Sequence, residues 1–243
     1  MKFIVILSFI TTFLISCNHQ MSPEQLLEKT INYHDPDNQW NRFNSTFHVT
    51  MKTPNNSHRE SDIIINKIDN TFYLKAIRDS IAIEYTITES ACLSALNGSN
   101  EFSKEDAIKH NLNCERANMY KNYYTYLYGL PMKLKDLGAR LSNSVERKVF
   151  QGKTYLVLRI SYDESVGSDN WYVYINPETY AMEIYQFFKT DVNGNEIETS
   201  GEYILLSGET VINGIKMPKN RAGFYNKDNS NLGTEFLNKK KRN

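Results

Sequence analysis

The spacing of apolar residues changes along the chain from a helical period to an alternating one. In residues 22–33 the apolar side chains recur at helical spacing, which predicts an amphipathic helix. Ser22 suits the N-cap of this helix, Pro23 its first turn, and Gln25 completes a capping box. From residue 43 to residue 96 apolar and polar residues mostly alternate, with turn-forming residues between segments. This pattern predicts a series of short strands joined by tight turns.

Helical character returns in the middle of the chain. Ser103 suits an N-cap, and the helical pattern continues to Tyr128 with an interruption at residues 111–113. Gly129 and Pro131 follow, and a glycine cap before a proline is typical of a helix end. Alternation then resumes, and the predicted strands of the second half are residues 145–150, 155–162, 171–175, 181–189, 202–207, 210–212 and 215–218. Strands therefore flank a central helical insertion.

The order of these elements predicts an α+β fold. Consecutive short strands with tight turns favour an antiparallel meander, and helices cover one face of such a sheet to bury its apolar side. A single curved antiparallel sheet with helices on one face accommodates the order without an unusual crossover. We therefore expect residues 22–238 to form a single domain.

The first residues are typical of a secretory signal peptide. Residues 1–16 combine a basic start with an apolar run that is too short to span a bilayer as a helix. Residues 14–17, Leu-Ile-Ser-Cys, resemble the bacterial lipobox, which implies cleavage before Cys17 and lipidation of that cysteine. Residues 17–21 would then be a lipidated tether, and its acyl chains, such as palmitate, would hold the protein to a membrane. The alternative is an ordinary signal peptide with an accidental cysteine.

Charge and the lipobox together give an expected location. The 28 basic and 28 acidic residues cancel, so no overall field favours nucleic acid as a partner. Residues 239–243 form a basic tail, which is either a solvated terminus or a segment attracted to anionic headgroups. No acidic residue follows Cys17 closely, which favours the outer membrane facing the periplasm within the bacterial cell envelope.

Two further cysteines remain once Cys17 carries lipid. Cys92 and Cys114 form an even pair in an oxidising compartment, and this predicts a disulfide. Two unpaired buried thiols are the alternative, because spacing in sequence does not give the distance between the two residues.

Motifs for catalysis are absent from the sequence. The five histidines lack the spacing of a zinc site, and no nucleophile elbow, Walker loop or dinucleotide-binding fingerprint occurs. We expect no cofactor, no metal and no enzymatic activity. Asp163, Glu164 and Asp169 lie near an apparent loop, where they indicate either a solvated connection or, in a hydrolase, dispersed catalytic carboxylates.

Aromatic residues are concentrated in the predicted central helix. Five tyrosines occur within residues 120–128 and cover nearly the whole helix circumference. Such rings suit the wall of a pocket for an acyl chain or another amphiphile, but the same residues could be core between helix and sheet. The predicted ligand-binding residues are Tyr123, Tyr124, Leu127, Leu130, Met132 and Trp171.

Several stretches resemble a family of Bacteroidota lipoproteins of unknown function. These stretches are His34-Asp35-Pro36-Asp37, Tyr126-Leu127-Tyr128-Gly129-Leu130-Pro131-Met132-Lys133-Leu134, Tyr162-Asp163-Glu164 with Val166-Gly167 and Asp169-Asn170-Trp171, Gly201-Glu202-Tyr203-Ile204-Leu205-Leu206, and Gly233-Thr234-Glu235-Phe236-Leu237. The resemblance covers almost the whole mature chain, and no catalytic role is attached to these motifs.

The order of helices and strands is also similar to that of the LolA, LolB and related lipoprotein-carrier superfamily. This resemblance implies an unclosed antiparallel half-barrel whose concave face is covered by helices, with an apolar cavity between them. It also implies a non-catalytic binding protein for a lipid or acyl chain. LolA itself is soluble, so a lipid anchor on Cys17 is closer to LolB-like or mycobacterial lipid-binding lipoproteins. The alternatives are a structural envelope lipoprotein with a filled core that docks a protein partner, and an envelope hydrolase.

Overall fold

The computed structural model describes residues 21–238 and the backbone of Lys239. The predicted signal peptide, Cys17 and the remainder of the basic tail lie outside the described residues. Within the described range, no helix is long and apolar enough to cross a membrane.

The described residues contain three α-helices, two short 3-10 helices and thirteen strands. The helices are α1 (Pro23–His34), α2 (Lys104–Lys109) and α3 (Cys114–Gly129), and the 3-10 helices are Gln39–Arg42 and Met132–Lys135. The strands are β1 (Asn44–Thr53), β2 (Asn56–Asn66), β3 (Thr71–Arg78), β4 (Ile81–Ile87), β5 (Cys92–Leu96), β6 (Ala139–Leu141), β7 (Glu146–Phe150), β8 (Lys153–Tyr162), β9 (Asn170–Ile175), β10 (Met182–Phe188), β11 (Glu202–Ile212), β12 (Ile215–Tyr225) and β13 (Asn231–Lys239).

All thirteen strands belong to one open antiparallel sheet, which confirms the predicted α+β class and curved antiparallel sheet. The strand order is β5-β4-β3-β2-β1-β13-β12-β11-β10-β9-β8, and β6 and β7 both pair with the outer edge of β8. Strand β13, which is not among the predicted strands, pairs with both β1 and β12. This strand joins the two predicted meanders into a single sheet.

Helices α1 and α3 pack on one face of the sheet. On that face the buried side chains form two apolar clusters, one around β1–β4 and α3 and one around β8–β11 and α1. A smaller cluster, which includes Val157 and Ile184, lies on the opposite face of β8–β10. Because side chains alternate along a strand, Val157 and its buried neighbour Leu158 point to opposite faces.

The capping residues predicted for α1 are in place. The Gln25 backbone N–H donates to the Ser22 hydroxyl oxygen at 3.2 Å, and the Ser22 N–H donates to the Gln25 side-chain oxygen at 3.0 Å. Each of these two contacts satisfies an N–H group that the helix itself leaves without a partner. Leu26 and Leu27 are buried on the sheet side of the helix. Local capping and burial of one apolar face therefore both favour this helix.

His34, the last residue of α1, connects the helix to two strands. Its Nδ1 lies 2.8 Å from the Lys216 carbonyl oxygen, and its Nε2 accepts the Met182 backbone N–H at 3.0 Å. The imidazole is therefore neutral, with its proton on Nδ1. Burial lowers the pKa of His34 below its ordinary value of 6.5.

We expect His34 to make stability depend on pH. The unfolded chain takes up a proton on this residue near pH 6.5, whereas the folded protein resists protonation until the pH is lower. The unfolded state therefore binds more protons below this pH, and the free energy of unfolding falls by up to about 1.4 kcal/mol per pH unit as the pH drops. Urea titrations from pH 7.5 to 5 of wild type and His34→Gln measure this. If the free energy of unfolding depended equally on pH in the two proteins, the assignment would be contradicted, because all other titrating groups are common to both.

The structure also joins Cys92 and Cys114 by a disulfide, with their Cα atoms 5.9 Å apart. Cys92 begins β5 at one edge of the sheet, and Cys114 is the first residue of α3. The bond therefore ties the start of α3 to the edge of the sheet.

Gly129 has a different role from the predicted cap. It is the last residue of α3, and the cap is Leu130, which has an extended backbone with φ −68° and ψ 140°. A Cβ atom at Gly129 would overlap the indole ring of Trp40 and the Lys133 side chain. The residue is a glycine because of this close approach, not because the helix end needs a left-handed conformation.

Candidate functional site

A cavity of about 820 Å³ opens between α3 and the sheet. Its lining comes from α3, from the 3-10 helix Met132–Lys135, from strands β1 and β8–β13, and from the loop before β9. The apolar and aromatic part of the lining includes Tyr123, Leu127, Trp171, Tyr185, Phe187 and Ile204. Its volume is within the range of roughly 300–1,000 Å³ that is typical of small-molecule sites.

Three of the six predicted ligand-binding residues line this cavity, namely Tyr123, Leu127 and Trp171. The other three lie elsewhere, in the core between the helices and the sheet: Tyr124, Leu130 and Met132 are 0, 5 and 7% exposed.

The rotation between successive residues of α3 explains why Tyr123 lines the cavity and Tyr124 lies in the core. Successive helical residues are rotated by about 100°, so Tyr120, Tyr124 and Tyr128 share one face of α3. That face packs on the sheet, where Tyr128 stacks on Phe47 with ring centroids 4.8 Å apart. Tyr123 lies beside this face and is 37% exposed, since its ring lines the cavity.

Aromatic rings from neighbouring elements form one wall of the cavity. The Trp171 ring stacks on Tyr185 at 5.9 Å and on Phe187 at 5.1 Å between centroids. Tyr126 of α3 contacts the Trp171 ring edge-on at 5.1 Å, and its hydroxyl lies against that of Tyr162. Contacts between α3 and the sheet thus hold the wall in place.

Two buried charged residues of the lining, Arg221 and Glu235, are not among the predicted site residues; they are 4 and 5% exposed. They face each other across β12 and β13, and Glu235 also faces Met51 of β1. Met51 in turn faces Arg59 of β2. The three charged residues therefore lie in one row across the sheet, beneath the tyrosines of α3. We call Arg59, Met51, Glu235 and Arg221 the polar row.

Tyrosine hydroxyls satisfy the carboxylate of the polar row. The Tyr123 hydroxyl donates to one oxygen of Glu235 at 3.1 Å, and the Tyr128 hydroxyl donates to the other at 3.2 Å. Burial, together with the nearby Glu235 carboxylate, raises the pKa of both tyrosines well above the ordinary value. Both hydroxyls therefore remain protonated hydrogen-bond donors at physiological pH.

The guanidinium of Arg221 has little hydrogen bonding within the protein. Its carbon lies 3.8 Å from the centroid of the Tyr128 ring, and one terminal nitrogen donates to the Pro218 carbonyl oxygen at 3.3 Å. Its Nε is buried without a partner among the described residues. A buried cation with free donors beside the aromatic wall of the cavity can hold the polar end of a ligand.

The carboxylates considered for hydrolysis do not converge. Asp163 forms an ion pair with Arg140 at 2.5 Å, and Glu164 is exposed. Asp169 lines the cavity, where burial raises its pKa above the ordinary value. No cluster of three or more potential metal ligands occurs in the described part of the chain. The geometry therefore gives no support to catalysis by these three residues.

Comparisons with known proteins give a family but no established activity. The chain is similar to a solved LolA superfamily protein from Nitrosomonas europaea, with 12% identity over 89% of this chain and 91% of the other and a TM-score of 0.49. A DUF1329 family protein from Desulfovibrio piger is 9% identical over 88% of this chain and 90% of the other, with a TM-score of 0.40. A search of curated proteins finds no match. The model of the "Family of unknown function (DUF6503)" matches residues 2–238, and the chain therefore belongs to this family.

Proposed function

We propose that the protein is a non-catalytic binding protein for a lipid or acyl chain, which it holds in the cavity between α3 and the sheet. The cavity of about 820 Å³ is the observation that carries this proposal. Burial of apolar ligand surface contributes about 25 cal/mol per Å², so contact with the aromatic wall would supply most of the affinity. A solid interior would instead have favoured a structural lipoprotein.

The polar row favours an amphiphile over a plain hydrocarbon. Glu235 and Arg221 lie on the cavity wall, and Tyr123 presents both a ring and a hydroxyl there. Buried polar groups are stabilised by hydrogen-bond partners. A ligand headgroup near Arg221 would therefore be oriented by this row, while its apolar part lies against Trp171 and Ile204.

We place the protein at a membrane of the bacterial cell envelope as part of this proposal. Lipidation of Cys17 would tether the domain to a membrane of the bacterial envelope, on the periplasmic face of the outer membrane. The membrane is then the first partner and a direct source of ligand, and an envelope protein is a second kind of partner that would receive or deliver it. A tethered protein would act on ligands close to its own membrane.

A bulky side chain at the cavity wall tests the proposal. Thr125 of α3 lines the cavity, so Thr125→Trp fills part of it and is expected to lower lipid retention by about tenfold, or ~1.4 kcal/mol of binding free energy. Asn118 is an exposed residue of the same helix outside the cavity, and Asn118→Trp is the matched control. Native mass spectrometry of the full-chain proteins counts the bound lipid. Equal retention in all three proteins, or no lipid in wild type, would refute binding in this cavity.

A further inference from the structure

A second cavity, of about 410 Å³, lies where the turn between β3 and β4 meets the connection between α2 and α3. Its lining is strongly basic. Four cationic side chains contribute to it, together with His110: Arg59, Arg78, Lys109 and Arg116. Asp79 is the single acidic residue of this lining, so the formal charge around the cavity is positive. We call this cavity the basic pocket.

The four cations of the basic pocket are not neutralised by close carboxylates among the described residues. No ion pair of the described residues involves any of the four. Asp79 accepts a hydrogen bond from the Ser57 hydroxyl at 2.7 Å. Like charges held close together destabilise a fold unless a counter-ion offsets them. The pocket therefore carries uncompensated positive charge, which a bound anion would neutralise.

Two of the arginines are held in position by the same aromatic ring. The guanidinium carbons of Arg59 and Arg116 lie 5.8 and 5.2 Å from the centroid of the Tyr120 ring. Arg59 also donates from one terminal nitrogen to the Tyr124 hydroxyl at 3.0 Å, while its buried Nε has no hydrogen-bond partner in residues 21–238. Arg116 donates to the Met119 sulfur, which is a weak acceptor. Both guanidiniums are thus oriented but keep free donors.

We propose that the basic pocket binds a phosphate group. Planar guanidiniums match the oxygens of phosphate with paired hydrogen bonds, and several of them around one small cavity favour a multiply charged oxyanion. Ala76, Ile81 and Ile83 form the apolar part of the lining, and their surface strengthens the attraction by excluding water. The phosphate is either a free ion or ester, or the headgroup of a membrane lipid. This site does not depend on the cavity under α3.

Phosphorus NMR of inorganic phosphate tests the site directly. The full-chain protein is kept in a detergent without phosphorus, and sodium chloride holds the ionic strength constant. We expect saturable broadening of the phosphate signal with a Kd below about 1 mM. Arg78→Gln and Arg116→Gln are each expected to weaken binding at least about fivefold. Arg147→Gln makes the same charge change at an exposed residue of β7 outside the pocket, and it should leave the Kd unchanged.

The outcomes show first whether the pocket binds phosphate, and then whether that phosphate is a free ion or a lipid headgroup. Absence of saturable broadening in wild type, or equal weakening by all three substitutions, would overturn the proposal. A parallel titration with dihexanoyl phosphatidate compares a lipid headgroup with the free ion. Binding at least about tenfold tighter than that of phosphate, and weakened by Arg78→Gln, assigns the site to lipid headgroups. Equal affinities, both weakened by Arg78→Gln, assign it to free phosphate.

Discussion

Replacement of Tyr128 by alanine is expected to lower the free energy of unfolding by about 3–5 kcal/mol. Tyr128 is 1% exposed, and its ring stacks on Phe47 and lies under the Arg221 guanidinium. Its hydroxyl donates to Glu235. The substitution therefore removes a large buried ring from between α3 and the sheet, and it also takes a partner from a buried carboxylate. Urea unfolding of the purified variant measures the loss.

Two further variants separate the contributions of this residue. Tyr128→Phe keeps the ring and removes only the bond to Glu235, so it is expected to cost about 1–3 kcal/mol. Tyr33→Ala removes a partly exposed tyrosine that is also hydrogen-bonded to a glutamate, Glu209, and should cost distinctly less than Tyr128→Ala. If Tyr33→Ala and Tyr128→Ala cost the same, Tyr128 does not hold α3 to the sheet as described.

A single added methyl group at Gly129 is expected to destabilise the protein by about 1–3 kcal/mol. At an unconstrained helical position, alanine is more favourable than glycine by about 1 kcal/mol. Here the new Cβ atom would overlap the rigid Trp40 ring, which is 3% exposed and packed in the core. The clash therefore reverses the usual sign of the substitution. Thermal and urea unfolding of Gly129→Ala give its size.

A double-mutant cycle with Trp40→Leu identifies the cause of that loss. The smaller leucine leaves room for the methyl group, so Gly129→Ala should cost little or nothing in the Trp40→Leu background. An unchanged cost in that background would mean that the tryptophan ring is not what excludes a side chain at Gly129.

Local signals in the sequence were sufficient for most elements of the fold. The capping box at Ser22 and Gln25 and the N-cap at Ser103 depend on residues within one helical turn, and both are present in the structure. Alternation of apolar residues in β1–β4 reflects burial of one face, so the pattern alone predicts these strands. These features could be predicted because each depends on neighbours in the sequence.

Strand β13 lacks an alternation of apolar residues. Its inward-facing row contains Gly233, Glu235 and Leu237, and only the last of these is apolar. Glu235 is buried because the tyrosines of α3, more than a hundred positions earlier, donate to it. Pairing with β1 and β12 stabilises this strand through contacts that are distant in the sequence. Alternation of apolar residues therefore cannot identify it.

The candidate site was predictable only in part for the same reason. The tyrosine-rich helix was recognised from composition, but five tyrosines around one helix do not show which face packs on the sheet. Tyr124 proved to be core and Tyr123 lines the cavity, a difference of one helical position. Arg221 and Glu235 belong to strands whose inward positions were not predicted. Which side chains of a helix or strand stay accessible depends on the element that packs against it, and that element is distant in the sequence.

Paramagnetic broadening by a stearate that carries a nitroxide near its methyl end tests binding in the cavity most directly. Leu127 and Ile204 line the cavity, whereas Val157 and Ile184 lie on the other face of the sheet. With methyl-labelled full-chain protein, ligand in the cavity predicts strong broadening of Leu127 and Ile204 and little effect on Val157 and Ile184. Equal broadening on both faces, or none at Leu127 and Ile204, would contradict a lipid site between α3 and the sheet.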